Sequence, residues 1–538
     1  MTTDGWLWDY LVLTASNDEQ ARAYQSQLGL RQRLGLLPGF REVLAVADPE
    51  GRRVGSGGST LYCLQRILNR EAETFGAHVR GLEEALSRLR VLIVHAGGDS
   101  RRLPAYGPCG KVFVPVPGPT DGPLPTALFD RQLPFFSQLP SGLPGAGQVV
   151  VTAGDALIRF EASEARMDYP GLTALTSPTS LEEASRHGVL CPGEGSEARI
   201  YLQKPNGRAL RDQGAIRGDN TALLDIGVMS LDARCAATLM GAFGMALSPN
   251  GTVEWNPASR ERVLTKGADL YREICCALGR DATEEHHCRT ARGSGSAWSP
   301  EELGQLYRDI HAIPLHMVTL SGCGFLHFGT TRQLVTSGLE LHESDHGHRP
   351  PHELLLLNNR VSGAGCIEGD GSWVEGCRIT APLALAGGNV VVGADISQPL
   401  ALPRETCLDL VPGWSRDGLP VFFVRLYGLR DTIKDSAAKG GTLCGSPLME
   451  WLSAAGLSPA DVWDGDLPEP SRSLWNARVY PTSEGAGALN PWLWMLEPAA
   501  ATPEQRLALL SADRYSIAEM ATLADQDAFH ARRMEGRT

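Results

Sequence analysis

Short apolar runs, separated by stretches with helical spacing, organise the first half of the chain. Three of them open the sequence, at 10–15, 43–47 and 91–95. Continuous apolar runs of this length are typical of strands that are buried on both faces. Their alternation with helices predicts an α/β domain with a doubly wound parallel sheet. Further strands are predicted at 148–152, 200–203, 225–231 and 325–329.

A different period begins after about residue 355. Bulky apolar residues recur every six positions, with small residues and glycines between them, at Val361, Ile367, Trp373, Ile379, Leu385 and Val391. Such hexads are typical of a parallel β-helix, in which each strand supplies one side of a triangular coil. Six or seven hexads make about two coils. The alternative is a loop-rich antiparallel region in which the spacing is accidental.

The length of the chain predicts more than one domain. A single core rarely grows beyond about 250–300 residues, and the chain has 538. The patterns divide it into an α/β domain at 1–340, a β-helix at 341–400 and a C-terminal extension at 401–538 that packs on the β-helix. The polar, histidine-rich segment 340–351 is interpreted as the linker before the β-helix.

Composition excludes several classes of function. The net charge is −13 and no basic stripe appears, which argues against a nucleic-acid-binding protein. No apolar run reaches the roughly 18–20 residues of a membrane span, and the first residues lack the pattern of a secretory signal. The 12 cysteines are scattered without a C-x-x-C pair, so reduced thiols and a cytoplasmic location are expected.

The candidate chemistry lies in a glycine-rich segment that follows the third predicted strand. Gly97 and Gly98 are followed by Arg102 and, nine residues later, by Lys111. A phosphate chain can approach a glycine backbone without meeting a Cβ atom, and successive amides can bind an anion. Two cations there would stabilise the charge that develops when a sugar phosphate attacks a nucleotide. The segment therefore predicts nucleotidyl transfer at the carboxyl edge of the sheet.

The motif H-A-G-G-x-S-x-R-L-P at 95–104, followed by G-K-x-F at 110–113, resembles the L-fucose-1-phosphate guanylyltransferases. These include the pyrophosphorylase half of bifunctional L-fucokinase/guanylyltransferases. The resemblance continues in order through 8–15, 48–61, 187–189, 203–205, 224–227 and 327–331. It implies a Rossmann-like nucleotidyltransferase domain followed by a short left-handed parallel β-helix. It also implies that GTP and β-L-fucose 1-phosphate react, with Mg²⁺, to give GDP-L-fucose and pyrophosphate.

The resemblance assigns roles to three charged side chains. Arg102 and Lys111 match the catalytic pair that grips the triphosphate and stabilises the transition state. Asp155 matches the aspartate that binds Mg²⁺, an ion that prefers one or two carboxylates plus phosphate oxygens. The alternatives are that Arg102 is a surface arginine that caps a helix, and that Asp155 caps the helix after it.

The resemblance also predicts the substrate contacts. The residues expected at the nucleotide are small and comprise Gly57, Gly58, Ser59, Gly97, Gly98 and Ser100. The alternative for the first three is a tight turn that opens a helix. Lys204 and Asp225 match residues that meet the sugar phosphate and the sugar hydroxyls. For Asp225 the alternative is an ion pair between strands.

One position departs from the wider superfamily. Simpler members carry a second metal-binding aspartate in a [WF]-x-D-x-G-T segment, and His327 stands at that place in this chain. Neutral imidazole is a poor ligand for magnesium. Either Asp155 binds the metal mostly alone, or Asp99 contributes. Alternatively, His327 donates a hydrogen bond to a phosphate or sugar oxygen, and it is predicted here as a sugar-phosphate contact.

Two other functions fit the same residues. One is the same reaction with a different sugar 1-phosphate or nucleotide, and the other is a non-catalytic homologue that binds sugar nucleotides. The bifunctional relatives continue into a kinase domain with a glycine- and serine-rich ATP loop. No such loop follows the hexads here, so a separate sugar kinase is expected to supply the sugar 1-phosphate.

Overall fold

The computed structural model describes residues 7–76, 79–119 and 121–535. The chain forms two compact units that interleave along the sequence. Unit 1 comprises Met1–Gly97, Gln132–Gly154 and Ile158–Phe325, and unit 2 comprises Gly98–Arg131, Asp155–Leu157 and Leu326–Thr538. The division into consecutive domains at 1–340, 341–400 and 401–538 stays a prediction.

The first 327 residues contain both strands and helices. The strands are β1 (Trp8–Ala15), β2 (Phe40–Ala47), β3 (Arg90–His95), β4 (Gln148–Ala153), β5 (Ala156–Phe160), β6 (Leu172–Ser180), β7 (Gly188–Pro192), β8 (Ala198–Gln203), β9 (Thr221–Leu231), β10 (Met245–Leu247), β11 (Val253–Trp255), β12 (Leu315–Thr319) and β13 (Cys323–His327). The helices are α1 (Asp18–Arg33), α2 (Gly55–Phe75), α3 (Leu82–Leu86), α4 (Leu128–Ser137), α5 (Leu181–Ala184), α6 (Gly207–Asp212), α7 (Ala233–Ala242), α8 (Pro257–Lys266), α9 (Glu284–Gly293) and α10 (Pro300–Ile310).

Within the described residues, unit 1 is built on a nine-stranded sheet whose main path is β12-β6-β9-β4-β3-β1-β2. Strands β2, β1, β3 and β4 are parallel neighbours, as the apolar runs predicted. The sheet is mixed and not the doubly wound parallel sheet that was predicted, because β9 runs antiparallel to both β4 and β6. An apolar run reports that a strand is buried but not in which direction it runs.

The order of the parallel strands positions the glycine-rich turn. The chain leaves β1 toward β2 on one side, whereas β3 pairs with β1 on the other side. The carboxyl ends of β1 and β3 therefore form a topological switch point, where open α/β sheets bind ligands. Gly97 follows β3 at this point.

Unit 2 contains most of the remaining elements. Its strands from residue 355 onward are β14 (Leu355–Leu357), β15 (Arg360–Val361), β16 (Cys366–Gly369), β17 (Trp373–Glu375), β18 (Arg378–Ile379), β19 (Pro382–Leu385), β20 (Val390–Val392), β21 (Asp395–Ile396), β22 (Leu400–Leu402), β23 (Thr406–Trp414), β24 (Pro420–Gly428), β25 (Thr442–Leu443), β26 (Ser446–Pro447), β27 (Tyr480–Ser483) and β28 (Arg514–Tyr515). Its helices from residue 331 onward are α11 (Thr331–His346), α12 (Leu448–Ala454), α13 (Pro459–Val462), α14 (Pro503–Ser511), α15 (Ile517–Leu523) and α16 (Gln526–Glu535).

The hexads form a parallel β-helix. Each strand from β14 to β19 pairs in parallel with the strand three places further along, which produces three ladders. Leu355 pairs with Trp373 and Trp373 with Val390, so successive coils are 18 and 17 residues long. Trp373, Ile379 and Val391 are fully buried. The left-handed sense of the coils stays a prediction.

The C-terminal region extends one face of the β-helix, because β23 pairs in parallel with β20 and then in antiparallel with β24. The predicted linker at 340–351 is partly helical, since α11 continues to His346. The polar, histidine-rich composition suggested a loop there, but several apolar residues of α11 are buried and hold it as a helix. Across the described ranges, every helix is too short or too polar to span a bilayer.

Candidate active site

Each unit carries its own group of the residues predicted from the sequence. Unit 1 contains Gly57, Gly58, Ser59, Gly97, Lys204 and Asp225. Unit 2 contains Gly98, Ser100, Arg102, Lys111, Asp155 and His327.

In unit 2, Lys111 and Asp155 form an ion pair. The Lys111 Nζ atom donates to Asp155 Oδ2 at 3.1 Å. The two side chains are 20% and 30% exposed, so the pair is largely shielded from water but partly accessible. A partly accessible ion pair can exchange one of its partners for a ligand. The interpretation of Asp155 as a helix cap is wrong, because strand β5 follows it.

The surrounding charges keep Asp155 ionised. Burial raises the pKa of this carboxyl, but electrostatic interactions with Lys111, His327 and Arg102 and the hydrogen bond from Lys111 outweigh burial, so the pKa lies below its usual range. Asp155 is therefore a carboxylate at neutral pH. Arg102 itself is exposed, and its charge still acts on Asp155.

Backbone hydrogen bonds place His327 beside Asp155. The carbonyl oxygen of Asp155 accepts from His327 Nδ1 at 3.1 Å and from the Phe328 amide at 3.0 Å. A carbonyl can only accept, so Nδ1 carries the proton, and Nε2 is the acceptor of the neutral ring. Ser337 Oγ donates to the His327 carbonyl at 2.7 Å. The ring can offer a second donor to a phosphate oxygen only when it is protonated.

The turn before Arg102 is tightly constrained. Ser100 is buried and has a φ of 53°, a left-handed conformation that a residue with a side chain seldom adopts. The carbonyl of Arg102 accepts from the Thr331 amide at 2.9 Å, at the start of α11. The backbone on both sides of Arg102 therefore has a defined path.

In unit 1, the turn after β3 is tied to the end of β1. The amides of Ala96 and Gly97 donate to Thr14 Oγ1 at 3.1 and 3.3 Å. The Tyr24 hydroxyl donates to the Ala96 carbonyl at 2.9 Å. The Gly97 amide thus already has an acceptor, and binding a phosphate through it requires that this hydrogen bond be shared or exchanged.

Thr60 of α2 and His95 of β3 form a hydrogen bond where β3 ends. The Thr60 hydroxyl donates to the Ser56 carbonyl at 2.9 Å and therefore accepts from His95 Nε2, also at 2.9 Å. Burial lowers the pKa of His95 to about 4, so the ring is neutral. The position of His95 at the head of the glycine motif was the one signal that could have singled it out.

Gly57, Gly58 and Ser59 lie inside the first turns of α2 and not in a loop. The Gly58 amide donates to the Ala268 carbonyl at 2.9 Å. A Cβ atom on Gly57 would lie 3.0 Å from both Ala268 O and Ile274 Cδ1, so the glycine permits close packing. Ser59 Oγ donates to Asp48, whose pKa burial raises to about 6. Packing accounts for these residues, and their contact with a nucleotide stays a prediction.

Gly57→Ala is expected to lower the free energy of unfolding by about 1–3 kcal/mol, because the added methyl group overpacks this contact. Chemical denaturation measures the change. Gly241→Ala is the matched control in helix α7, where a Cβ atom meets nothing within 4 Å. It is expected to gain up to about 1 kcal/mol from helix propensity. A Gly57→Ala protein with unchanged stability and a raised KM for GTP would contradict the packing role.

Asp225 is a buried carboxyl with two neutral donors. The Tyr201 hydroxyl donates to Oδ2 at 2.9 Å, and the Gly227 amide donates to Oδ1 at 2.8 Å. Burial raises its pKa to about 6, against the effect of these hydrogen bonds. Neutral donors do not support the alternative of an ion pair between strands. Lys204 is exposed after β8 with a φ of 47°, and its amide donates to the His187 carbonyl at 2.9 Å.

Among the described residues, Asp155 does not belong to a cluster of three or more candidate metal ligands. In the part of the chain that the structure describes, no group of three or more histidine, cysteine, aspartate or glutamate side chains is placed to hold an ion. Asp99 pairs with Arg101 at 2.9 Å. Its carboxylate is therefore engaged with a cation, which weakens the alternative that it contributes to a metal site.

These features define an α/β protein with a β-helix, in which a lysine–aspartate pair accompanies a glycine-rich turn. The chain belongs to the family of the fucose pyrophosphorylase domain, whose family model matches residues 83–484.

Two of its relatives are bifunctional proteins. The chain is 28% identical to the bifunctional fucokinase/GDP-fucose pyrophosphorylase of Arabidopsis thaliana, with 95% of this chain and 50% of the relative covered. It is 27% identical to the L-fucokinase/L-fucose-1-P guanylyltransferase of Bacteroides fragilis, with 91% and 48% covered. The chain thus spans about half the length of these two relatives.

A third relative is comparable in length. The human fucose-1-phosphate guanylyltransferase is 24% identical, with 89% of this chain and 82% of the relative covered. Among solved structures, one titled mannose-1-phosphate geranyltransferase from Thermus thermophilus is 14% identical and has a TM-score of 0.22, with 77% of this chain and 94% of that chain covered. A TM-score this low supports no conclusion about the fold.

Proposed function

We propose that the chain is a nucleotidyltransferase that joins GTP and β-L-fucose 1-phosphate to give GDP-L-fucose and pyrophosphate. The proposal is supported by membership of the fucose pyrophosphorylase family and by the names of its relatives. The observation that carries it is the pair of Lys111 Nζ and the ionised Asp155 carboxylate, within the field of Arg102.

The reaction is a direct displacement at phosphorus. A phosphate oxygen of the sugar 1-phosphate attacks the α-phosphorus of GTP and forms a new P–O bond. The bond from the α-phosphorus to the oxygen that bridges to the β-phosphorus breaks, and pyrophosphate leaves with the electron pair. The attacking oxygen is already anionic, so no general base is required. Lys111 and Arg102 stabilise the negative charge on the α-phosphoryl oxygens and on the leaving group.

Asp155 is the residue proposed to hold Mg²⁺. Its pKa lies below the usual range, so the carboxylate is ready to ligate a cation. One carboxylate plus phosphate oxygens is a donor set that suits magnesium. When bound, the ion supplies positive charge to the triphosphate. His327 is proposed as a donor to a phosphate or sugar oxygen through Nε2 of the protonated ring, because Nδ1 already donates to the Asp155 carbonyl.

The remaining roles belong to the same proposal. Lys204 would meet the sugar phosphate, and Asp225 would accept from sugar hydroxyls through lone pairs that Tyr201 and Gly227 leave available. Gly97, Gly98 and Ser100 would approach the nucleotide phosphates. The left-handed sense of the β-helix is supported by the hexad spacing. A separate sugar kinase that supplies the sugar 1-phosphate and a cytoplasmic location also stay proposals.

The test is a matrix of four nucleoside triphosphates against several sugar 1-phosphates, with pyrophosphate release as the readout. We expect the highest kcat/KM with GTP and β-L-fucose 1-phosphate, by about tenfold or more over other pairs, because a base or sugar that leaves polar groups unpaired loses binding energy. A higher value with another pair would favour the same reaction on other substrates. Nucleotide binding without turnover for any pair would favour a non-catalytic homologue.

A further inference from the structure

The segment between the two catalytic cations is buried although no α-helix or strand holds it. Residues 103–110 contain only a short 3-10 turn, Pro104–Tyr106. Leu103, Ala105 and Tyr106 have no exposed surface. A backbone outside helices and sheets depends on other partners to keep one conformation. Two sets of buried charged side chains from elsewhere in unit 2 supply those partners.

The first set donates a hydrogen bond to the backbone carbonyl of Pro104. Arg425 on β24 donates through Nε to Asp409 on β23, and through Nη2 to the Pro104 carbonyl at 2.9 Å. Both charged side chains are essentially fully buried. The planar guanidinium holds its two donors in a fixed fork, which the point charge of a lysine on a flexible stem does not provide. Pro104 lies two residues after Arg102.

The second set forms hydrogen bonds with the side-chain hydroxyl of Tyr106. Tyr106 donates to Glu375 Oε2 at 3.1 Å and accepts from Trp373 Nε1 at 2.9 Å, so it contacts the β-helix twice. Glu375 is fully buried and also pairs with Arg533 of α16, at 2.7 Å. The Asn358 side chain donates to its other oxygen at 3.0 Å. These five side chains therefore form one connected network around the Tyr106 hydroxyl.

A third contact lies at the surface. The guanidinium of Arg101 lies 5.1 Å from the centre of the Trp475 ring, within the range of a cation–π interaction. Contacts at 101, 104 and 106 thus follow one another along the chain, on either side of Arg102. All of them come from the β-helix or the C-terminal region.

We propose that Asp409–Arg425 and Glu375–Arg533 are positioning pairs, which hold residues 103–110 so that Arg102 and Lys111 keep their catalytic spacing. The proposal rests on the proposed function, in which these two cations stabilise the transition state. A buried ion pair seldom adds net stability compared with apolar side chains of similar size. Its ability to fix the path of a backbone segment explains why charged residues occupy these interior positions.

The test replaces the first pair by apolar residues in the double variant Asp409→Leu/Arg425→Met. Such a replacement usually preserves stability, while it removes the donor to the Pro104 carbonyl. We expect kcat to fall about 10- to 100-fold with KM for both substrates changed less than about threefold, because misplaced catalytic groups cost turnover. We also expect the amides of 103–110 to exchange hydrogen about tenfold faster or more.

The matched control is Glu405→Gln/Arg430→Met, which removes an exposed ion pair of the same region. It is expected to leave kcat and amide exchange unchanged, since exposed pairs contribute little. Tyr106→Phe is a second, milder variant, and it removes only the hydroxyl that joins Glu375 and Trp373. It is expected to lower kcat by a smaller factor than the double variant does. It therefore tests the proposal even if the double variant does not fold.

Amide exchange tests whether the ion pairs anchor residues 103–110, and kcat tests whether this anchoring positions Arg102 and Lys111. Faster exchange in 103–110 with an unchanged kcat would overturn the positioning role, and unchanged exchange would overturn the anchoring itself. A wild-type protein without turnover would defeat the proposed function. In that case faster exchange in the double variant alone would still support the anchoring of this segment.

Discussion

Lys111→Ala is expected to lower kcat by about 10²- to 10³-fold, the scale of losing one fixed contact to transition-state charge. The lysine is held by Asp155 at 3.1 Å in a partly buried position, so its charge is already in place before substrate arrives. A preorganised charge stabilises the departing pyrophosphate without a cost of reorganisation at the moment of reaction. Steady-state kinetics with pyrophosphate release measures the effect.

The matched control for this variant is Lys266→Ala. Lys266 forms a comparably shielded ion pair with Glu302, at 2.7 Å, and has no predicted role in catalysis. Its loss is expected to change kcat less than about twofold, whatever it does to stability. A Lys111→Ala protein that is folded and retains near-normal kcat would contradict the role given to the lysine.

Asp155→Asn is expected to lower kcat by about 10²-fold or more and to raise the Mg²⁺ concentration that gives half-maximal activity. The substitution keeps the backbone carbonyl that His327 and Phe328 contact, so the local structure should persist. It removes the negative charge that pairs with Lys111 and that would ligate the metal. A magnesium titration of the initial rate separates loss of metal affinity from loss of turnover.

The control for Asp155 is Asp168→Asn, which changes an exposed carboxylate that pairs with Arg166. Its magnesium titration and kcat are expected to match those of the wild type. An Asp155→Asn protein whose magnesium titration and kcat both match the wild type would show that Asp155 neither binds the ion nor orients Lys111.

The apolar pattern predicted the positions of the strands well. It predicted their pairing and direction less well. The runs at 91–95 and 148–152 became β3 and β4 with nearly the predicted bounds, because both are buried in the core. The reversed direction of β9 could not be predicted, since an apolar run has no polarity. The six-residue spacing predicted the parallel pairing correctly, because each hexad forms one side of a coil. Trp373 accordingly pairs with Leu355 in the coil before it and with Val390 in the coil after it.

The site could be predicted from the sequence only where a local motif marks it. The motif predicted Lys111 and the resemblance predicted Asp155 as site residues, but the two lie 44 positions apart and only the folded chain shows their ion pair. Glycines at 57 and 58 fit a phosphate turn and a packed helix equally well, and the deciding contact with Ala268 lies more than 200 residues further on. Arg425 lies 321 residues from Pro104, beyond any local signal.

The identity and ratio of the products test most directly whether the chain joins GTP to β-L-fucose 1-phosphate. The purified chain is incubated with GTP, β-L-fucose 1-phosphate and Mg²⁺, and the products are followed by ³¹P NMR. We expect GDP-L-fucose and pyrophosphate in equal amounts, with no inorganic phosphate from GTP. Release of GDP with inorganic phosphate, or recovery of both substrates unchanged, would contradict it.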